Sequence, residues 1–181
     1  MLKFNPFILL AVALLNMVNC LGQSKNTGPI ISDFGAVFTV ENPDFVLNTL
    51  KNYHAVFDVM ASPESHTVLN PNIETAARFL NMHAQAGIPI NQLKAALVIH
   101  STASKDILSD SAYQARYGTE NPNKKLIQAI TAAGGQVILC GQSAASRGIA
   151  RDELMPEVQL ALSAMTALIQ LQDEGYRLIK F

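Results

Sequence analysis

The sequence predicts a single α/β domain built on a mainly parallel sheet of four to five strands. Short runs rich in β-branched and aromatic residues alternate with stretches of helical periodicity, which is typical of βαβ units. The chain has 181 residues, 49% of them hydrophobic, so it can bury one core but is short for two ordinary domains. Its net charge of -1 argues against polyanion binding, so nucleic acid is not an expected partner.

Residues 1–22 have the layout of a secretory signal. Lys3 provides a positive start, residues 7–18 are almost all apolar, and small residues precede Gln23, where cleavage would occur. The apolar run is too short for a membrane span. We therefore expect an exported domain, periplasmic or secreted, comprising residues 23–181. A buried N-terminal helix is the alternative.

Removal of this segment changes the cysteine count. The sequence has two cysteines, and cleavage would remove Cys20 and leave only Cys140, so no internal disulfide could form. Lipid attachment at Cys20 is another possibility, but Asn19 stands where a lipoprotein signal carries a small residue, which argues against anchoring.

The elements of the domain are predicted from periodicity and from start and stop residues. We expect strands at residues 53–59, 93–99, 136–140 and 176–181, with an additional edge strand at residues 36–40. Two helices begin at Asn70-Pro71-Asn72 and Asn121-Pro122-Asn123, because each motif offers a cap and a proline for the first turn. A short helix at residues 110–117 interrupts the long connection 101–120. That connection follows a parallel strand and would cover the ligand-binding edge of the sheet.

A last helix is predicted at residues 154–174. Residues 158–171 carry no charge, and apolar or small side chains go most of the way round the helix. Such a helix is usually buried on more than one side. We therefore expect its second face to pack against another copy of the chain, giving a homo-oligomer.

Cys140 is the first candidate for chemistry, at the accessible end of a central strand. It is followed by Gly141, Gln142 and Ser143, which leave backbone N–H groups exposed, while Arg147 is near enough in sequence to add positive charge. Both features favour the nucleophilic thiolate. The alternative is a buried structural cysteine that only ends a strand.

His100 and Asp58 are the next candidates. His100 ends the strand before that of Cys140, so its imidazole could pair with the thiol or carry a proton. Asp58, near the end of the first strand, could orient either group. The alternatives are a histidine bonded to loop backbone and an aspartate that caps a turn. No histidine pair at helical spacing, no CxxC and no phosphate-binding loop is present, so neither a metal nor a cofactor is expected.

A hydrolase is a weaker interpretation of the same region. Gly141 and Ser143 fit part of the nucleophile elbow G-x-S-x-G, but Ala145 replaces the second glycine. Asp58 and His100 could complete the set, although their order in the chain is not that of the α/β-hydrolases.

Several of these segments together resemble the DsrE/DsrF-like (YchN-like) family, specifically its exported branch. The segments that carry the resemblance are Ala96-Leu97-Val98-Ile99-His100, Asn121-Pro122-Asn123, Ile138-Leu139-Cys140-Gly141-Gln142-Ser143 with Arg147-Gly148, and Ala161-Leu162-Ser163-Ala164-Met165-Thr166-Ala167. The resemblance implies a three-layer α/β/α domain that assembles into homotrimers or hexamers. It also implies that Cys140 matches the cysteine that, in sulfur-relay members, accepts sulfur as a persulfide and passes it to a partner.

Two functions follow as hypotheses. In the first, Cys140 is a reactive thiolate that carries sulfur between a donor and an acceptor, with His100 as its proton partner and Arg147 and loop N–H groups stabilising its charge. In the second, the protein is a non-catalytic oligomeric module that binds a small ligand, and Cys140 is buried and structural.

Overall fold

The β-rich runs of the sequence form five strands that lie parallel to one another in a single sheet. This computed structural model describes residues 24–180. The strands are β1 (Tyr53–Val59), β2 (Leu93–Ile99), β3 (Gln136–Cys140), β4 (Gln159–Ala161) and β5 (Arg177–Ile179). Their order across the sheet is β4-β3-β2-β1-β5. The predicted mainly parallel sheet is confirmed.

Helices cover both faces of the sheet, which gives the three layers. They are α1 (Pro71–Gln85), α2 (Asp110–Tyr117), α3 (Lys124–Ala132), α4 (Gly141–Ser146) and α5 (Ala164–Asp173). On the first face, α1 and α3 bury residues such as Leu80 and Ile127 against Leu97 of β2. On the second face, Ala167 and Leu171 of α5 pack on Val98 of β2. Alternate residues of each strand thus supply two separate cores.

The prediction of one helix over residues 154–174 is wrong. Residues 159–161 instead form β4, which pairs with the end of β3, and Ser163 then begins α5 by accepting a hydrogen bond from the Thr166 N–H at 3.0 Å. Pro156, which has no N–H, lies in the irregular segment before β4. Only part of the uncharged stretch is buried: Val158 lies in the first core and Ala167 and Leu171 in the second, whereas Leu162, Met165 and Ile169 are exposed.

The predicted edge strand at residues 36–40 does not form either. Val37 makes one isolated antiparallel bridge with Asn26 and does not join the sheet. Gly35 just before it packs so closely on α1 that a Cβ there would lie 2.5 Å from the carbonyl carbon of Ala77. This segment therefore lies against α1 instead of extending the sheet.

The two Asn-Pro-Asn motifs are joined to each other by a buried polar network. The Asn70 N–H donates to Asn123 Oδ1 at 2.7 Å, and Asn70 Nδ2 donates to Asp106 Oδ2 at 2.7 Å. Asn121 Nδ2 donates to the carbonyl oxygens of Asp106 and Leu108, at 3.0 and 2.7 Å. The network holds the connection 101–120 against the starts of α1 and α3, so this connection is a rigid part of the sheet's carboxyl edge.

We predict that Asn70→Ala destabilises the protein by about 2–4 kcal/mol, because it removes a helix cap and leaves the buried Asp106 carboxylate short of a donor. Asn72→Ala is the matched control, since Asn72 belongs to the same motif but is half-buried and should cost no more than about 0.5 kcal/mol. Urea unfolding measures both. Equal losses in the two variants would contradict a stabilising role for the network.

Candidate functional site

Asp58, His100 and Cys140 come together at the carboxyl edge of the sheet. They lie at or just beyond the ends of β1, β2 and β3, which are neighbours in the sheet. Each follows by two residues a strand residue that packs against α5, namely Val56, Val98 and Ile138. Because side chains alternate along a strand, all three site residues belong to the face that α5 covers.

Cys140 is buried, with 6% of its surface exposed, and its strand is the second from one edge of the sheet. β3 lies between β4 and β2, so it is an interior strand of the sheet, but the prediction of an accessible thiol at its end is wrong. The sulfur is nevertheless surrounded by polar hydrogens. Its pKa is lowered by the N–H groups of Ser143, Ala164 and Gln142 and by the hydroxyl of Ser143.

Burial and these donors oppose each other at the thiol. Burial, the largest single effect, raises the pKa of Cys140, but the Ser143 N–H and hydroxyl and the Ala164 and Gln142 N–H groups lower it by more, so the net pKa is below the ordinary value. The donors lack the alignment of a full cap hydrogen bond and act as peptide and hydroxyl dipoles directed at the sulfur. They favour the thiolate over the thiol.

Two chain reversals deliver these N–H groups. Cys140 is the residue at which β3 ends and α4 begins, so the first turn of α4 provides Gln142 and Ser143. Ala164 is the first residue of α5, which follows β4. The two reversals can approach because Gly141 has no side chain: a Cβ there would lie 2.6 Å from the carbonyl oxygen of Ala161. Gly141 therefore has a role that the sequence did not reveal.

Ser143 links the thiol to the end of β2. Its Oγ accepts a hydrogen bond from the Ser101 N–H at 3.1 Å, which leaves its own hydroxyl hydrogen for Cys140. Ser101 adopts a left-handed conformation with φ of 54°, uncommon for a residue with a side chain. Such strained residues concentrate at functional sites. The hydroxyl is thus engaged on both sides, and His100 is not among its partners in the described residues, which argues against a Ser143 hydrolase.

Asp58 and His100 form a pair at the ends of β1 and β2. His100 Nε2 lies 2.7 Å from Asp58 Oδ1, and the second carboxylate oxygen lies 3.2 Å from Lys180 Nζ. Asp58 is thus able to orient the ring, as the sequence suggested. Since Ile99 pairs with Leu139, His100 and Cys140 are the next residues along adjacent strands. Sequence reasoning missed Lys180, because no local signal shows that β5 lies beside β1.

The remaining predicted residues lie around the thiol with different roles. Gln142 is exposed, and its side-chain amide donates to the carbonyl oxygen of Leu162 at 3.3 Å, between the two reversals. Arg147 ends α4, is exposed, and is not among the groups that act on Cys140. It lines a separate cavity with Lys105. Its predicted contribution to the thiolate is therefore not supported.

Within residues 24–180, no cluster of histidine, cysteine and acidic residues could hold a metal ion. No helix in the same range is long and apolar enough to cross a membrane.

Comparisons with known proteins place this geometry in a family. A family model described as the DsrE/DsrF-like family matches residues 54–181. Among solved structures, the chain is similar to the ychN protein of E. coli, with 20% identity and a TM-score of 0.50 over 71% of this chain and 99% of that one. It is also similar to a protein of unknown function from Methanobacterium thermoautotrophicum, with 18% identity and a TM-score of 0.49 over the same shares, 71% and 99%. The comparison with curated proteins gives no match. Because the family model spans more than half of the sequence, the chain belongs to the DsrE/DsrF-like family.

Proposed function

We propose that the protein is a sulfur carrier that holds sulfane sulfur on Cys140 as a persulfide and passes it to a thiol acceptor. The observation that carries the proposal is the set of N–H groups and the hydroxyl around a lone thiol, which lower its pKa despite its burial. The same donors act on the sulfur atom that must attack as a thiolate to accept sulfur.

The transfer step needs no oxidant from the protein. The Cys140 thiolate attacks the outer sulfur of a donor persulfide, R–S–SH, and forms the new S–S bond of Cys140–S–SH. The S–S bond of the donor breaks, and its electron pair leaves with the R–S fragment, which takes up a proton and departs as R–SH. One sulfur atom moves, and the donor and the carrier together keep the same oxidation level. His100, held by Asp58 at 2.7 Å, is the proposed source of the proton.

We also propose that the carrier is exported. Residues 1–22, the expected signal segment, lie outside the described residues. The support for export is their sequence alone: Lys3, an apolar run and small residues before Gln23.

The apolar surface of α5 supports assembly of identical copies as part of this proposal. Leu162, Met165 and Ile169 are 72%, 72% and 60% exposed, and Leu178 of β5, on the same face of the sheet, is 41% exposed. Large apolar side chains exposed on one face usually mark an interface. Because Ala164 of the same helix acts on the thiol, a second copy docked there would lie beside the site.

A binding module with a structural cysteine remains the second candidate. The observation that favours it is the 6% exposure of Cys140, which limits access to large donors. The two functions differ in the reactivity that they require of the thiol, and the experiments below separate them.

Treatment of the native protein with polysulfide should add sulfur to Cys140, detected by intact-mass spectrometry and by mapping of the modified peptide. Cys140→Ser should lose the modification at this position, and the urea-unfolded protein should gain less sulfur at Cys140 than the native one, because the N–H donors are then absent. Equal uptake by folded and unfolded protein, or none by the folded protein, would refute a specific carrier.

The pH dependence of alkylation of Cys140 tests the role of Ser143. In Ser143→Ala we expect the half-maximal rate at a higher pH than in the wild type, because loss of the hydroxyl removes a group that lowers the thiol pKa. Ser146→Ala, an exposed serine on the same helix, is the control and should leave the profile unchanged. A native thiol that reacts slowly at every pH and rapidly once unfolded would favour the binding module.

Charge on the α5 surface should separate the copies. We expect Met165→Glu and Ile169→Glu each to lower the assembled mass measured by light scattering, because burying an unpaired carboxylate costs several kcal/mol, on the order of 3–5. Met82→Glu is the matched control, since Met82 is 47% exposed on α1, on the opposite face. A wild-type protein that is monomeric at high concentration would contradict the interface.

A further inference from the structure

A cavity lies at the same edge of the sheet as Cys140, but on the opposite face. Its volume is about 510 Å³, and its walls come from the segment after β1, the connection after β2 and the end of α4. The side chains of Tyr117 and Ile149 on its walls pack on the first core, whereas Cys140 faces α5. This edge is where open parallel sheets bind ligands, and the volume is within the usual range of ligand pockets.

Lys105 provides a positive charge in the cavity wall, and its ammonium is held in place by neighbouring side chains. Its side chain is 12% exposed, and its Nζ lies 2.7 Å from a carboxylate oxygen of Asp106, which is fully buried. Burial lowers the pKa of Lys105, but the Asp106 hydrogen bond and charge and the Tyr113 hydroxyl raise it by more, so the ammonium stays protonated. Nζ is also 3.4 Å from the Tyr113 hydroxyl. An ammonium has one more N–H than these two partners use.

Two arginines differ in how they are held. Arg116 forms a salt bridge with Glu153, in which Nη2 lies 2.8 Å from both carboxylate oxygens. Its Nη2 also donates to the carbonyl oxygen of Gly148 at 2.7 Å. These bonds tie α2 to the end of α4. Arg147, next to Gly148, is exposed, and its side chain has no protein partner among the described residues. Its guanidinium is therefore available to a ligand.

Asp106 and Glu153 already pair with Lys105 and Arg116, and the remaining negative charge at the cavity is on its rim. Glu64 is the one carboxylate among the described lining residues, and it is exposed. Its effect on a ligand is therefore screened by water and salt more than that of the largely buried Lys105 ammonium.

Aromatic rings form part of the wall between these charges. The rings of His66 and Tyr117 lie 4.3 Å apart at an angle of 39°, and Tyr113 lies 4.8 Å from Tyr117. The Tyr113 hydroxyl donates to the carbonyl oxygen of His66 at 3.0 Å, which holds the cluster together. Such a wall suits a flat or apolar group next to a charged one.

We propose that this cavity binds a small organic oxyanion, a carboxylate or phosphate group carried on a flat ring, with Arg147 and Lys105 contacting the anion and Tyr117 contacting the ring. The site does not depend on sulfur chemistry at Cys140, since the two lie on opposite faces of the sheet. It assigns Arg147 to ligand binding and not to the thiolate.

The test uses benzoate and phenyl phosphate as probes and benzamide as their neutral counterpart, titrated calorimetrically into the full protein. We expect one of the two anions to bind and benzamide to bind at least about tenfold more weakly, as expected for loss of a charge-assisted hydrogen bond. The anion that binds more tightly shows whether the site prefers a carboxylate or a phosphate. If neither anion binds at ligand concentrations on the order of 10 mM, about the weakest affinity of interest, the proposal is wrong.

Substitutions test which residues contact the anion. Arg147→Gln should weaken anion binding about tenfold, whereas Arg151→Gln, an exposed arginine four residues on that does not line the cavity, should not change it. Glu64→Gln should strengthen binding, because it removes the rim carboxylate. Cys140→Ser should leave it unchanged, which separates this site from the carrier proposal. Weaker binding in Glu64→Gln, or equal losses in the two arginine variants, would refute the assignment.

Discussion

The balance between burial and peptide dipoles at the Cys140 sulfur is the interaction on which the proposed chemistry depends. A thiol with 6% exposure would ordinarily resist ionisation, because an anion in an apolar surrounding loses its hydration. Here the N–H groups of Ser143, Ala164 and Gln142 and the Ser143 hydroxyl replace part of that hydration. The protein thus protects the sulfur from bulk water and still favours its charged form.

This arrangement follows from the parallel sheet. Parallel strands bring their carboxyl ends to one edge, where each chain reversal presents the unpaired N–H groups of the helix that follows. The reversals after β3 and β4 meet because Gly141 leaves room for the Ala161 carbonyl group. The connection after β2 contributes the Ser101 N–H, and the buried Asn70–Asp106 contact holds that connection in position.

Periodicity and start signals predicted the parts of the fold that are determined locally. Asp110–Tyr117 forms a helix over the predicted residues, and Cys140 ends a strand beside the one that precedes His100. Residues 159–161 were wrongly assigned to a helix because their strand character depends on pairing with β3, which no local pattern records. Burial of Cys140 was only one of two alternatives at the sequence level for a similar reason, since α5 approaches it from a distant part of the chain. Arg147 is close to Cys140 in sequence, but the helix α4 separates the two and carries Arg147 to the cavity that Lys105 also lines.

The most direct measurement is the ultraviolet absorbance of the thiolate as a function of pH, recorded for native and for urea-unfolded protein after subtraction of the Cys140→Ser signal. We expect the native thiol to ionise at a lower pH than the unfolded one, because the surrounding N–H and O–H dipoles exist only in the folded state. Ionisation at a higher pH in the native protein would show that burial outweighs those dipoles, and the proposed carrier chemistry would lose its basis.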